Sequence, residues 1–384
     1  MSDPLNRWIA PARAETGVYL ANAACGLASA PVLDAVMGHL RHEAERGAPW
    51  AAAAGRDRLD AGYADAARLI GARPDEIAFV ESGNGALRAL LLSVGLRDGE
   101  RMLVDRACWG GTLAMLRGLD GVSVDVMATN AEGAPDITAT RTMVRAGTRL
   151  VLTTWCPAVS GAVNPVEAIG SLAAEIGAVH LVDACQALGQ IPVDVGTLRC
   201  DGLVASGRKW LRGPRGTALL YASRRFLARS RAVMADQFGA GREDARRYEG
   251  GEAFVAGRLG LATAIEGALA LGVPFIRARI ADRGHAPARR AARAARRARA
   301  RPGRDAVGDR GVHDRRTGCD RNRGTAGARR RHRERPARAL CAAGHGGARP
   351  ARDRPAGPAC VHDRCGDRPR DRDRRRRIRR LPTT

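Results

Sequence analysis

The chain has 384 residues, enough to bury a sizeable core and hold two domains, and no apolar run approaches the roughly 20 residues of a membrane span. The opening residues lack the basic-then-apolar layout of a secretory signal, and the nine cysteines are scattered and odd in number, which argues against a disulfide framework and for a reducing cytoplasm. The net charge of +24 is uneven: residues 282–384 hold 33 Arg and 11 acidic residues, whereas residues 1–281 hold 31 basic and 29 acidic, so the globular part is nearly neutral and the basicity belongs to a tail.

Residues 1–17 read as an arm. Residues 21–26 are all small apart from Asn22 and form a turn; such a turn suits a close backbone approach to a ligand and suits a plain turn equally. Pro31–Arg46 has helical spacing, with Val32, Val36 and Leu40 on one face, and Arg58–Gly71 reads as a second helix. Glu76–Val80 is a short strand that runs into Glu81-Ser82-Gly83-Asn84-Gly85 and then a helix over 86–92. A strand, a small polar turn and a helix start leave free N–H groups facing an anion, so Ser82, Gly83 and Asn84 form a candidate anion site. Arg101–Asp105 is the next strand. It leads to Trp109, whose flat face suits a planar ring, with a place in the core as the lesser alternative. A helix over 111–119 and a strand over Val122–Val126 follow.

Arg149–Trp155 is a buried strand, and a helix spans Val166–Ile176. The apolar run Ala178–Val182 reads as a strand that delivers Asp183 at its C-terminal end, where ligands bind in open α/β sheets. A carboxylate there can pair with a pyridinium nitrogen, and the Gln186 amide can reach the ring's phenolic oxygen. Lys209 is the only lysine; the other 63 basic residues are arginine. Arginine stays protonated and cannot form an imine, whereas a desolvated lysine can, so Lys209 is a candidate Schiff-base residue. A strand follows at Ala218–Tyr221. Arg212 and Arg215 suit substrate carboxylates or a solvated turn. Alternating strands and helices argue for an α/β fold with a mostly parallel sheet.

Asp183-x-x-Gln186 after a strand, followed by Ser206-x-x-Lys209 and Gly213-Pro214-Arg215-Gly216, resembles the class V branch of the fold type I, pyridoxal-phosphate-dependent aminotransferase superfamily. The resemblance implies that Asp183 holds the pyridine nitrogen, Gln186 the ring oxygen and Ser206 the phosphate. Lys209 would form the Schiff base with pyridoxal 5'-phosphate. It also implies phosphate contacts at Ser82, Gly83 and Asn84, and Trp109 stacked on the ring. Arg208 stands where many members have His, and the usual Asn or Ser-His near Cys156–Ala158 is absent. Residues 248–261 resemble the loop by which one subunit reaches its partner's cofactor, implying a homodimer with shared sites. Ala23-Ala24-Cys25, the run from Ser206 to Gly216, and Gly251-Glu252-Ala253 with Arg258 narrow the likeness to the C–S lyases of ergothioneine biosynthesis. These act on a cysteine sulfoxide conjugate by β-elimination; Arg215 and Arg258 are then candidate substrate contacts. Aminotransferase, epimerase and cysteine-desulfurase chemistry remain alternatives within the superfamily.

The domain reading is a large cofactor-binding domain over 18–265, the first helix of a small α/β domain over 266–281, and a tail over 282–384. The large apolar residues of the tail are Val307, Val312, Leu340, Val361, Ile378 and Leu381, with no aromatics. That is too little apolar surface to offset the entropy of ordering about a hundred residues, so disorder is expected and the small domain is absent as written. Arginine neutralises phosphates, but no stacking aromatics or known module accompany it, so nucleic acid is expected as a partner only through this tail. Cys360, His362 and Cys365 lack a second ligand pair, and no metal is expected. We read the tail as an out-of-frame translation of a GC-rich gene. Sequencing the DNA across the codons for Ile276–His285 is expected to find one base missing or extra, with an apolar small domain in the corrected frame; a confirmed frame would contradict this.

Overall fold

The computed structural model describes residues 6–9, 19–233 and 235–284. The Arg-rich tail, and with it the expected disorder, the frame error and the Cys360–Cys365 cluster, lies outside the described residues.

Seven strands in the described residues form one sheet: β1 (Ile77–Val80), β2 (Arg101–Val104), β3 (Ser123–Val126), β4 (Thr148–Thr154), β5 (Val179–Asp183), β6 (Gly202–Ser206) and β7 (Ala218–Ala222). Their order is β1-β7-β6-β5-β4-β2-β3. β7 runs antiparallel to both neighbours, and every other pairing is parallel. Six strands therefore point one way and end at one edge of the sheet. The expected α/β fold with a mostly parallel sheet is what the chain adopts. The strands read as unbroken apolar runs because helices cover both faces.

The helices, in chain order, are α1 (Asn6–Ile9), α2 (Ala30–Arg46), α3 (Ala48–Ala54), α4 (Arg56–Ile70), α5 (Gly83–Val94), α6 (Gly110–Arg117), α7 (Ile137–Met143), α8 (Val166–Glu175), α9 (Val195–Leu198), α10 (Arg224–Arg229), α11 (Val255–Leu271) and α12 (Val273–Gly284). Alternate strand residues face opposite layers. Phe79, Val182, Leu203 and Leu219 pack with Tyr63, Ala66 and Ile70 of α4 and with Leu261 and Ile265 of α11. Leu181, Val204 and Leu220 face the other way, onto Leu87, Leu90 and Leu91 of α5. Helix α11 is apolar nearly all round because it is wedged between α4 and α2. Among the described residues no single helix is long and apolar enough to cross a membrane.

Two sequence expectations are corrected. Helix α2 turns Val32, Ala35 and His39 inward, and Leu40 is 38% exposed, so its buried face is rotated from the Val32-Val36-Leu40 stripe. The segment 248–261 is not one loop: α11 begins at Val255, and Glu249 accepts from Phe79 N of β1.

His180 is the second residue of β5, fully buried, with Nε2 3.2 Å from Thr153 Oγ1. Burial lowers its pKa from 6.5 to about 4. The unfolded chain therefore takes up a proton below pH 6.5 that the native state refuses until about pH 4. This neutral histidine supports the fold fully above pH 6.5, and that support is lost as the pH falls through 4. It amounts to roughly 3 kcal/mol at one pKa unit per 1.36 kcal/mol. Melting curves taken across this window are expected to fall more steeply for the wild type than for His180→Gln, whose amide keeps the Thr153 contact without titrating. Parallel slopes would contradict the assignment.

Candidate active site

Strand ends supply the site. The carboxyl ends of β1, β2, β4, β5 and β6 deliver Glu81 to Asn84, Cys108 with Trp109, Thr154 with Cys156, Asp183 with Cys185, and Ser206 to one cavity of about 1090 Å³. Lys209 and Arg215, carried by the turn after β6, complete it with Gln186, Ala23 and Ala24. Thus Ser82, Gly83, Asn84, Trp109, Asp183, Gln186, Ser206, Lys209 and Arg215, separate in sequence, line one pocket.

Each wall has a local cause. Ser82 caps α5: its Oγ accepts from Gly85 N at 3.0 Å, which leaves the hydroxyl hydrogen free to donate. The remaining first-turn amides of this twelve-residue helix have no intrahelical acceptor. Asp183 is 8% exposed; Oδ1 accepts from Cys185 N at 2.9 Å. Gln186 is held at both ends, donating to Ala23 O at 2.9 Å and accepting from Trp210 Nε1 at 2.8 Å, so one amide hydrogen remains for a ligand. Trp109 is half exposed, on the pocket wall rather than in the core.

The Lys209 turn is clamped by close backbone approaches. Gly26 N donates to Arg208 O at 2.7 Å, and a Cβ on Gly26 would come within 2.4 Å of Lys209 O. The small-residue turn at 21–26 is thus explained by its approach to the lysine turn. On another side Gly189, at φ +94, lies so close to Trp210 that a Cβ would come within 2.6 Å of its carbonyl carbon. Arg212 does not line the pocket. It adopts φ 62, a conformation costing a non-glycine residue about 1 kcal/mol or more, and donates to Leu27 O and Trp8 O at 2.6 and 2.7 Å.

Arg258 is not among the lining residues either. Its Nη1 is 3.0 Å from Glu249 Oε2, and Glu249 also accepts from Phe79 N at 2.7 Å and from the Tyr63 hydroxyl. Burial raises the Glu249 pKa, and the Arg258 charge opposes that shift. The pair braces edge strand β1 against α11.

Sequence reasoning missed a second carboxylate at a strand end. Asp105 is 1% exposed; it accepts from Ala107 N at 2.8 Å and from Thr154 N at 2.5 Å. Asn164 closes the same corner by donating to Thr154 O at 2.7 Å. Together they fix the turns that carry Trp109 and Cys156. The signal was available, since Asp105 follows β2 as Asp183 closes β5. Three thiols also line the pocket. Burial pushes Cys156 up to about 11. Burial, with Asp183 adding to it and Lys209 opposing, pushes Cys185 up to about 12. Burial raises Cys108 further.

Pyridoxal phosphate offers three handles: a phosphate, a basic ring nitrogen and an aldehyde. The residues present fit them. A capped helix start with the Ser82 and Ser206 hydroxyls suits the phosphate, a buried strand-end carboxylate suits a ring N–H, and a lone primary amine suits the aldehyde. The cavity also has room for an amino acid beside it.

Comparison with known proteins agrees. The family model for class V aminotransferases matches residues 18–286, ending close to where the composition changes. A probable hercynylcysteine sulfoxide lyase from Mycobacterium tuberculosis (strain CDC 1551 / Oshkosh) is 34% identical over 285 residues, covering 73% of this chain and 70% of that protein. A probable cysteine desulfurase from Synechocystis sp. (strain ATCC 27184 / PCC 6803 / Kazusa) is 30% identical over 220 residues, covering 55% of this chain and 52% of that protein. The apo structure of a cysteine desulfurase from Thermococcus onnurineus NA1 superposes with a TM-score of 0.61 at 24% identity, covering 67% of this chain and 68% of that one, which supports the fold.

Proposed function

This chain belongs to the class V aminotransferase family of pyridoxal-phosphate-dependent enzymes, and from that premise we propose that it cleaves the C–S bond of a cysteine S-conjugate or its sulfoxide by β-elimination at the Lys209 pocket. The observation that carries this reading is the convergence of Lys209, Asp183 and the Ser82–Asn84 helix start on one cavity, in a chain 34% identical to a probable hercynylcysteine sulfoxide lyase.

Bound pyridoxal phosphate supplies an electron sink for negative charge at the substrate's Cα. The Asp183 carboxylate would accept a hydrogen bond from the ring N–H and so favour the protonated nitrogen. Ser82, Gly83, Asn84 and Ser206 would hold the phosphate, the free Gln186 amide hydrogen would be available to the ring oxygen, and the Trp109 indole would lie beside the ring. Arg215 takes the substrate carboxylate at the mouth. The Lys209 amine holds the cofactor through its aldehyde. With the substrate in place, the free Lys209 amine would be the base that takes the Cα proton. Loss of the Cα proton and of the sulfur group from Cβ, with uptake of one water, would give pyruvate, ammonia and the sulfur-bearing leaving group. The same reading has the chain act as a cytoplasmic homodimer, with the sulfoxide conjugate of ergothioneine biosynthesis as the specific substrate.

Desulfuration is the alternative that the matched desulfurases raise. It needs a thiolate to accept sulfur. Burial holds Cys156 near 11 and Cys185 near 12, so these pocket thiols stay protonated at neutral pH. Elimination asks nothing of them.

The test is to incubate the chain and pyridoxal phosphate with a cysteine S-conjugate sulfoxide and no keto-acid acceptor. Pyruvate and ammonia are expected in equal amounts. Turnover only with a keto acid, or alanine with a protein persulfide, would contradict elimination.

A further inference from the structure

Arg212 lies three residues beyond Lys209 and contributes nothing to the pocket wall. Nevertheless it holds a left-handed backbone, φ 62, which glycine tolerates and other residues rarely adopt. Strain of this kind persists where the surroundings over-determine it. Here they do. Arg212 N bonds back to Lys209 O at 3.1 Å, closing the lysine turn. Its side chain leaves that turn and spans two backbone carbonyls, Leu27 O through Nε and Trp8 O through Nη1. Trp8 is itself 5% exposed, with its ring against α11 where a Cβ on Gly267 would come within 2.6 Å. Burial lowers the Arg212 pKa, in keeping with a guanidinium drawn out of water to reach these carbonyls.

The N-terminal residues reach the same turn elsewhere. Gly26 N holds Arg208 O, and Ala23 O fixes Gln186, whose amide oxygen accepts from Trp210. A planar fork of donors suits two carbonyls at once, which a lysine or a neutral amide cannot match.

We propose that Arg212 is a positioning residue: it straps the Lys209 turn to the N-terminal segment at Trp8 and Leu27, and so sets the reach of the Lys209 amine into the pocket. This rests on Lys209 as the cofactor-binding amine. The strap ties the reactive turn to the Trp8 and Leu27 carbonyls, nearly two hundred residues away in sequence, and through them sets the aim of the amine.

The sequence offers a specific readout, because Lys209 is the only lysine. Trinitrobenzenesulfonate modification, read on the Lys209 peptide by mass spectrometry, reports the exposure and basicity of that one side chain without any cofactor. Pyridoxal phosphate titration with borohydride reduction, read on the same peptide, reports its reach to the aldehyde. Arg212→Gln removes the fork. Arg212→Gly removes it too while relieving the φ 62 backbone, so it keeps the test open if the first variant folds poorly.

In both variants we expect Lys209 to be modified about tenfold faster and to need about tenfold more pyridoxal phosphate for half reaction, the scale of one charge-assisted hydrogen bond. An Ile265→Val control with an equal fall in Tm is expected to move neither. Unchanged rates and half-reaction concentrations in Arg212→Gly overturn the proposal, as do shifts no larger than those of the control. If wild-type Lys209 forms no reduced adduct, the cofactor reading falls instead, and the cofactor-free modification rates still decide the strap.

Discussion

A parallel strand that ends at the edge of a sheet leaves backbone N–H groups without a partner, and the site grows from the side chains that answer them. Asp105 takes the amides of Ala107 and Thr154, Asp183 takes that of Cys185, and Ser82 takes that of Gly85. Each polar side chain thereby fixes the turn that follows its strand. Because six strands point the same way, these turns meet at one edge. The pocket is the consequence of satisfying strand ends, and its chemistry comes from the capacity left over: the Ser82 hydroxyl hydrogen and one Gln186 amide hydrogen.

Lys209 belongs to a different kind of structure. Its turn follows β6, but packing from remote segments shapes it. Gly26 and Gly189 press against it closely enough that a methyl group on either would collide, and Arg212 anchors its end. A primary amine on a loosely held turn would spend most of its time in water. Clamping it aims it at the cavity at the expense of backbone strain, a cost confined to one residue.

Much of this was legible in the sequence, for physical reasons. Asp183 and Ser82 follow apolar strand runs, and Lys209 stood out because no other side chain in the chain can form an imine. What was misread depends on distant contacts. That Glu249 folds over the edge of β1 at Phe79 and pairs with Arg258 was not foreseen. Helix α2 buries His39 in place of Leu40 because a histidine can pack and still reach Glu43 at 3.1 Å. The short helices α3, α7 and α10 carry too few turns to show a period. Strand β6 was hidden by its glycine start, although it delivers Ser206. No local pattern announces that Arg212 reaches back to Trp8.

The most direct test is the visible absorption spectrum of the purified chain titrated with pyridoxal phosphate, for wild type and for Lys209→Ala. The wild type is expected to develop a long-wavelength band that saturates at one cofactor per chain, and Lys209→Ala to give only the spectrum of free cofactor. The same band in both proteins would mean that Lys209 does not hold the cofactor, and the assignment of this pocket would fail.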